Sequence, residues 1–154
     1  MRIDEGGVWF HQGSPIGRKE LVRLFATVLR RDDDGDYWLI TPAEMARIKV
    51  EDAPFLAVEL TTTDEGENQV LSLRTNVDAV VTVDGDHPIH IKTDSETDTP
   101  KPYVILDGGV EAKIARAVYY ELVALAVEEH HGASAFGVWS SGEFFPLNQQ
   151  SDTA

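Results

Sequence analysis

One turn–strand–helix pattern occurs twice in this sequence, and this repetition constrains the fold more than any other feature. Residues 5–24 contain a Gly-Gly-Val turn, an Ile-Gly-Arg step and a Glu-Leu-Val helix start. Residues 107–125 contain the same turn, an Ile-Ala-Arg step and the same helix start. A Gly-Val-Trp triplet also occurs twice, at 7–9 and 137–139. Such repetition predicts two similar halves, and two packed halves leave a cleft between them.

The periodicity of apolar residues predicts two helices among many strands. Apolar residues three and four apart place a first helix between Leu21 and Leu29 and a second from Tyr119 to about residue 132. Runs of alternating residues around Asp-, Gly- or Asn-containing turns predict hairpins. These hairpins cover residues 37–50, 55–74, 79–92, 103–114 and 136–147. Many antiparallel hairpins with two helices predict an α+β fold.

The predicted architecture has two similar halves, each with antiparallel β-hairpins and one main helix, packed around an interhalf cleft. The N-terminal half, the first repeat unit, covers residues 1–93 and the C-terminal half covers 100–147. The polar run between them is interpreted as a loop or junction. Residues 148–154 are predicted to form a disordered tail.

The net charge of −14 and the absence of cysteine exclude several classes of function. An acidic surface repels phosphate backbones, so we expect neither a nucleic-acid nor a membrane partner. Without cysteine the chain forms no disulfide and has no thiol nucleophile or cysteine-ligated zinc. We expect a cytoplasmic protein without a cofactor. A small anionic ligand in a local cationic pocket is compatible with this charge.

The histidine and aspartate patterns do not predict a metal site. His87 and His90 are three apart, so in a strand their side chains face opposite sides. Asp32 and Asp34 alternate as in a calcium loop, but Tyr37 stands where that loop needs glycine. No phosphate-binding loop or nucleophile elbow is present.

The arginines are the most informative polar residues. Arg18 and Arg116 occupy matching places in the repeat, each at a helix start where a cation opposes the helix dipole. Arginines grip carboxylates and phosphates with forked hydrogen bonds, which predicts an anion pocket. The candidate ligand-binding residues are Arg18, Arg47, Arg74, Thr75, Asn76, Arg116, Tyr119 and Trp38. The alternative is internal ion pairing with Glu20, Glu44, Asp52, Glu111 or Glu121.

A set of motifs in fixed order resembles a known bacterial family. The motifs are Gly-Val-Trp-Phe-His at 7–11, Ser-Pro-Ile-Gly-Arg at 14–18, Tyr-Trp-Leu-Ile-Thr-Pro at 37–42, the run at 47–55, Arg-Thr-Asn at 74–76 and Gly-Val-Trp-Ser at 137–140. Together they resemble the family catalogued as domain of unknown function 1285. The resemblance implies an α+β fold with repeated motifs and no assigned catalytic residues. Proposals for that family favour ligand sensing or signal transduction.

Three function classes follow from these observations. The first is a small regulatory or signal-transduction protein that binds an anionic ligand in the interhalf cleft. The second is a hydrolase with Asp52 or His87 as general base, which requires both groups to meet in one cleft. The third is an interaction module, with aromatic residues that dock a protein partner or form a homodimer.

Overall fold

The computed structural model describes residues 1–93, 99–131 and 133–147. Within them, two six-stranded sheets, one three-stranded sheet and two α-helices form an α+β fold, as predicted. The predicted tail at 148–154 lies outside the described residues.

The first sheet is built from the N-terminal third of the chain. Its strands are β1 (Arg2–Ile3), β2 (Trp9–His11), β3 (Ser14–Pro15), β4 (Leu29–Arg31), β5 (Tyr37–Ile40) and β6 (Met45–Val50). Their order is β3-β2-β1-β6-β5-β4, and the central pair, β1 and β6, is parallel. Helix α1 (Lys19–Thr27) connects β3 to β4. The sheet therefore consists of two antiparallel meanders joined at a parallel seam.

The second sheet repeats this topology. Its strands are β7 (Phe55–Thr63), β8 (Val70–Thr75), β9 (Val80–Thr82), β10 (Ile89–Thr93), β11 (Pro100–Ile105) and β12 (Glu111–Ile114). Their order is β10-β11-β12-β7-β8-β9, again with a parallel central pair, here β12 and β7. Counted from the start of each unit, both sheets have the order 3-2-1-6-5-4, so the predicted pair of similar halves is confirmed. The repeated motifs lie at different places in the two units, since the turn at residues 5–8 joins the first and second strands of one sheet and the turn at 107–110 joins the fifth and sixth strands of the other. Because β10 pairs with β11, this sheet crosses the junction predicted between residues 93 and 100.

The C-terminal part differs from the prediction at the second helix. Helix α2 (Arg116–Ala124) ends well before residue 132, and the chain continues as β13 (Val127–His131). This strand pairs with β14 (Ala133–Ser140), which pairs with β15 (Glu143–Pro146) to form the third sheet. Pairing with the next strand along the chain overrides the local helical periodicity here.

One predicted hairpin does not form. Strands β9 and β10 both exist, but they lie at opposite edges of the second sheet. The turn between them is made as expected, with Asp84 accepting the His87 amide. The parallel pairing of β7 with β12 places the two meanders side by side and so separates β9 from β10.

The two sheets share one hydrophobic core. Trp9 of β2 is 2% exposed, and its ring lies 6.3 Å from that of Phe25 of α1 and 6.4 Å from that of Phe55 of β7. Along β8, alternate residues are buried, including Leu71 and Leu73. The aromatic contacts of Trp9 therefore join the first sheet to the second.

Candidate functional site

A cavity of about 560 Å³ lies at the start of α2, and we call it the α2 cavity. Arg116 is the first residue of α2, and Tyr119 and Tyr120 follow three and four positions later, so all three border the cavity from one helix face. Lys113 of β12 pairs in register with Tyr103 of β11 and contributes from the sheet. The volume lies in the range of small-molecule sites.

The α2 cavity is lined by cations and apolar surface. Its charged residues are Lys101, Lys113 and Arg116, and none of the described residues that border it is an Asp or Glu. Buried Ile114 and partly buried Leu56 add apolar surface. Lys113 is paired at 3.1 Å with Asp52, which lies outside the lining, whereas Arg116 makes no ion pair with a described residue. In a chain with a net charge of −14, Arg116 is therefore the cation of this cavity that lacks a described carboxylate partner.

The tyrosine wall of the cavity is fixed in place. The Tyr119 hydroxyl donates a hydrogen bond to the Leu147 carbonyl at 3.3 Å, and burial raises the pKa of Tyr119. The neighbouring Tyr120 ring lies 6.3 Å away and is 58% exposed. Tyr119 therefore presents a neutral, rigid wall, while Tyr120 stands at the rim.

Arg18 and Arg116, the matching residues of the repeat, differ in their surroundings. Arg18 precedes the first residue of α1 and is exposed, and it does not border the α2 cavity. Arg116 borders the α2 cavity. Neither guanidinium makes an ion pair with a described residue. The first turn of α2 contains no acidic residue to offset the charge of Arg116.

Two of the other predicted arginines form ion pairs. Arg47 contacts Asp36 at 2.8 Å, and Arg74 contacts Glu59 at 3.3 Å and Asp78 at 3.0 Å. Both lie away from the α2 cavity. The predicted alternative of internal ion pairing therefore applies to both arginines, but none of their partners is among the acidic residues named for it in the sequence.

The remaining polar candidates hold the backbone in place. The Thr75 hydroxyl accepts hydrogen bonds from the Val77 and Ala79 amides, and Thr75 is 1% exposed. The Asn76 side chain accepts a bond from the Leu56 amide at 3.1 Å. These contacts shape the turn between β8 and β9.

Of the two aromatic candidates, Tyr119 borders the α2 cavity and Trp38 does not. It lies on β5 in the first sheet, and its indole N–H donates to Asp32 at 2.9 Å. With the Asp36 and Asp34 amides, this bond holds the pKa of Asp32 below its usual range. The structure thus brings Arg116 and Tyr119 together and leaves the other six candidates elsewhere.

The two candidate general bases do not meet in one cavity. Asp52 accepts bonds from the Tyr103 hydroxyl at 2.6 Å and from Lys113 at 3.1 Å, and although burial opposes this, these bonds hold its pKa below the usual range. It borders a polar cavity of about 600 Å³, whereas His87 borders a different cavity.

Both ring nitrogens of His87 are engaged by carboxylates. One bonds to Asp107 at 2.7 Å and the other to Asp84 at 2.9 Å. The bond to Asp107 raises the pKa of His87, and Asp84 adds to this effect while partial burial opposes it. With both ring nitrogens in hydrogen bonds to carboxylates, His87 has no nitrogen free to accept a proton from a substrate.

A buried carboxylate links the two sheets. Glu111 of β12 has a side chain 4% exposed, and its Oε1 accepts from Arg31 of β4 at 2.9 Å and from Lys92 of β10 at 3.1 Å. Its Oε2 has no hydrogen-bond partner among the described residues. The sequence analysis above gives Glu111 as a possible ion-pair partner of a candidate arginine, but Arg31 is not one of those arginines. We call Glu111, Arg31 and Lys92 the Glu111 cluster.

The two lysines of the α2 cavity are not among the ligand-binding residues predicted from the sequence. Lys101 lies two residues before Tyr103, the register partner of Lys113, so both lysines are on the same face of the β11–β12 pair. Alternation within each strand could have shown this only once the pairing register was known. Among the described residues there is no group of three or more His, Asp or Glu side chains placed to hold a metal ion.

No described helix is long and apolar enough to cross a membrane. Among curated proteins, none matches the chain.

Comparison with solved structures and family models identifies relatives. Over 96% of this chain and 78% of the other, a DUF1285 family protein from Silicibacter pomeroyi DSS-3 matches with 42% identity and a TM-score of 0.87. A DUF1285 family protein from Shewanella baltica OS155 matches with 30% identity and a TM-score of 0.64, over 80% of this chain and 89% of the other. Residues 1–53 match the family's N-terminal domain of unknown function, and residues 54–147 match its C-terminal domain. The chain therefore belongs to the DUF1285 family.

Proposed function

We propose that this protein is a cytoplasmic regulatory protein that binds a small anionic molecule in the α2 cavity. The observation that carries the proposal is Arg116, which makes no ion pair with a described residue and stands beside Lys101 and Lys113 in a lining without a described carboxylate, in a chain of net charge −14. A carboxylate or phosphate group would be attracted by these cations and could accept forked hydrogen bonds from Arg116.

The lining also favours a particular kind of anion. Tyr119 and Tyr120 offer ring surface, and Ile114 and Leu56 offer aliphatic surface. An aromatic or other flat apolar group attached to the anion would bury area against them. The proposed ligand class is therefore a small carboxylate or phosphate ester that carries an apolar ring.

Arg116 is the residue that best reports ligand binding. The charge of Lys113 is shared with Asp52, so its replacement would also leave that carboxylate without a partner. Arg116 makes no ion pair with a described residue, and its loss should leave the fold intact. Arg18 provides a control, because it is an exposed arginine next to the start of the other helix and it does not border the α2 cavity.

A thermal-shift screen tests the proposal. The panel contains nucleotides, phosphosugars and aromatic carboxylates, with inorganic phosphate as the anion that lacks an apolar group. An anion present at about 100 times its Kd stabilises the native state by about 2.7 kcal/mol. We expect Arg116→Gln to lose this shift and Arg18→Gln to keep it. If no anion shifts the wild-type Tm, or if the two variants respond equally, the proposal is wrong.

A further inference from the structure

One ion pair connects the α2 cavity with the polar cavity of about 600 Å³. Lys113 borders the α2 cavity, and its amino group lies 3.1 Å from Oδ2 of Asp52. Asp52 is not among the described residues that line the α2 cavity, but it borders the polar cavity. The two partners of this ion pair therefore line different cavities.

Asp52 is held in place for its contact with Lys113. The Tyr103 hydroxyl donates to Oδ1 of Asp52 at 2.6 Å, so each oxygen of the carboxylate has a partner. Although burial opposes it, bonds from Tyr103 and Lys113 and the positive charges of Lys113 and Lys101 hold the pKa of Asp52 below its usual range. The carboxylate is therefore ionised at neutral pH and interacts with both lysines of the α2 cavity.

The same contact joins the two domains of the chain. Asp52 belongs to the N-terminal domain, residues 1–53, whereas Tyr103 and Lys113 belong to the C-terminal domain, residues 54–147. Tyr103 and Lys113 are register partners in β11 and β12, so their side chains lie next to each other on one face of the second sheet. The carboxylate of one domain thus bridges two neighbouring side chains of the other.

Lys113 can serve either Asp52 or an anion in the α2 cavity. Its side chain is 32% exposed, and a lysine amino group sits on a flexible stem of four carbon atoms. An anion that takes this amino group leaves Asp52 with the Tyr103 hydroxyl and brings a second negative charge near it. Both effects oppose binding of the anion.

We propose that Asp52 is an internal competitor of the ligand anion, whose carboxylate holds Lys113 in the free protein and so lowers the affinity of the α2 cavity for anions. This inference rests on the proposed function, since it concerns the same ligand. Because coupling between two binding events is reciprocal, the ligand in turn weakens the contact of Asp52 with Lys113. Occupancy of the α2 cavity is in this way coupled to a contact between the two domains.

The probe is phenyl phosphate, an anion with an apolar ring, and its Kd is measured by calorimetric titration of the whole chain. Asp52→Asn keeps the size of the side chain and an oxygen that can accept from Tyr103, but it removes the charge that holds Lys113. We expect Asp52→Asn to bind phenyl phosphate about fivefold more tightly than the wild type does. A substitution that only loosens the fold would not tighten binding. Asp52→Ser removes the same charge and should also tighten binding, so either variant can carry the test.

Asp36→Asn is the matched control for the change in charge. Asp36 is paired with Arg47 at 2.8 Å and borders the same polar cavity as Asp52, and it is not among the described lining residues of the α2 cavity. Its replacement changes the net charge by the same amount, and we expect a Kd within about twofold of the wild type. Thermal unfolding of each variant verifies that it is folded.

A Lys113→Gln background tests the route of the competition. Without the amino group for which Asp52 and the ligand compete, Asp52→Asn should change the Kd by less than about twofold. The double variant also leaves no unpaired carboxylate at this position. The difference between the two backgrounds measures the competition for Lys113 itself.

Three results would overturn the inference. The first is a Kd for Asp52→Asn that is no lower than the Kd for Asp36→Asn. The second is a tightening by Asp52→Asn that persists unchanged in the Lys113→Gln background. The third is the absence of phenyl phosphate binding by Asp52→Asn. The proposed function fails on a different result, the absence of any Arg116-dependent shift in the anion screen.

Discussion

Replacing Glu111 by Gln should weaken the connection between the two sheets. The carboxylate is 4% exposed and accepts two charge-assisted bonds, from Arg31 at 2.9 Å and Lys92 at 3.1 Å. Breaking a buried ion pair costs about 3–5 kcal/mol when the partner remains buried. Here Arg31 is 32% exposed and Lys92 is 42% exposed, so both cations can turn towards water. We therefore expect a smaller loss in the free energy of unfolding, about 2 kcal/mol.

Urea unfolding followed by tryptophan fluorescence measures this loss. A double-mutant cycle with Arg31→Met should show a coupling of about 1 kcal/mol or more between the two positions. Glu59→Gln is the control, since Glu59 is 57% exposed in its pair with Arg74 and should contribute less than about 0.5 kcal/mol. A Glu111→Gln variant as stable as the wild type, or a coupling below about 0.5 kcal/mol, would refute this reasoning.

Two further predictions concern a titrating side chain and a close backbone contact. The raised pKa of His87 means that its contribution to stability is complete below the unfolded value of about 6.5 and is lost as the pH rises through the higher folded-state pKa. The Tm difference between wild type and His87→Gln should therefore shrink from pH 6 to about pH 9, and a constant or growing difference would contradict this. In Gly137→Ala, the added Cβ would lie 2.2 Å from the Phe145 carbonyl oxygen, so we expect a loss of about 2 kcal/mol or more in urea unfolding. Gly17→Ala meets nothing within 4 Å and should change stability by less than about 1 kcal/mol; equal effects of the two substitutions would contradict the packing argument.

Local sequence patterns predicted most of the elements correctly. Strand β8 follows the alternation of Leu71 and Leu73, and the hairpin of β5 and β6 forms over the predicted residues. The end of α2 was wrong because residues 127–131 pair with β14, the next strand, although their apolar spacing also fits a helix. The hairpin of β9 and β10 was wrong for a different reason, since the long-range parallel pairing of β7 with β12 separates them.

The candidate site was predictable only where its residues share one element. Arg116 and Tyr119 are three apart on one helix, so their common face followed from the sequence. Lys101 and Lys113 come from two strands and meet the helix only through the register of the second sheet. The ion pairs of Arg47 and Arg74 likewise depend on turns and strand neighbours, and composition alone could not choose among the 27 acidic residues.

The most direct test of the α2 cavity is a calorimetric titration of three proteins with the anion that gives the largest thermal shift. The wild type and Arg18→Gln should bind it with the same Kd. Arg116→Gln should bind it at least about tenfold more weakly, since a charge-assisted hydrogen bond contributes about 1.5–3 kcal/mol. Equal affinity in Arg116→Gln and Arg18→Gln, or no measurable heat with the wild type, would contradict the assignment of this cavity as an anion site.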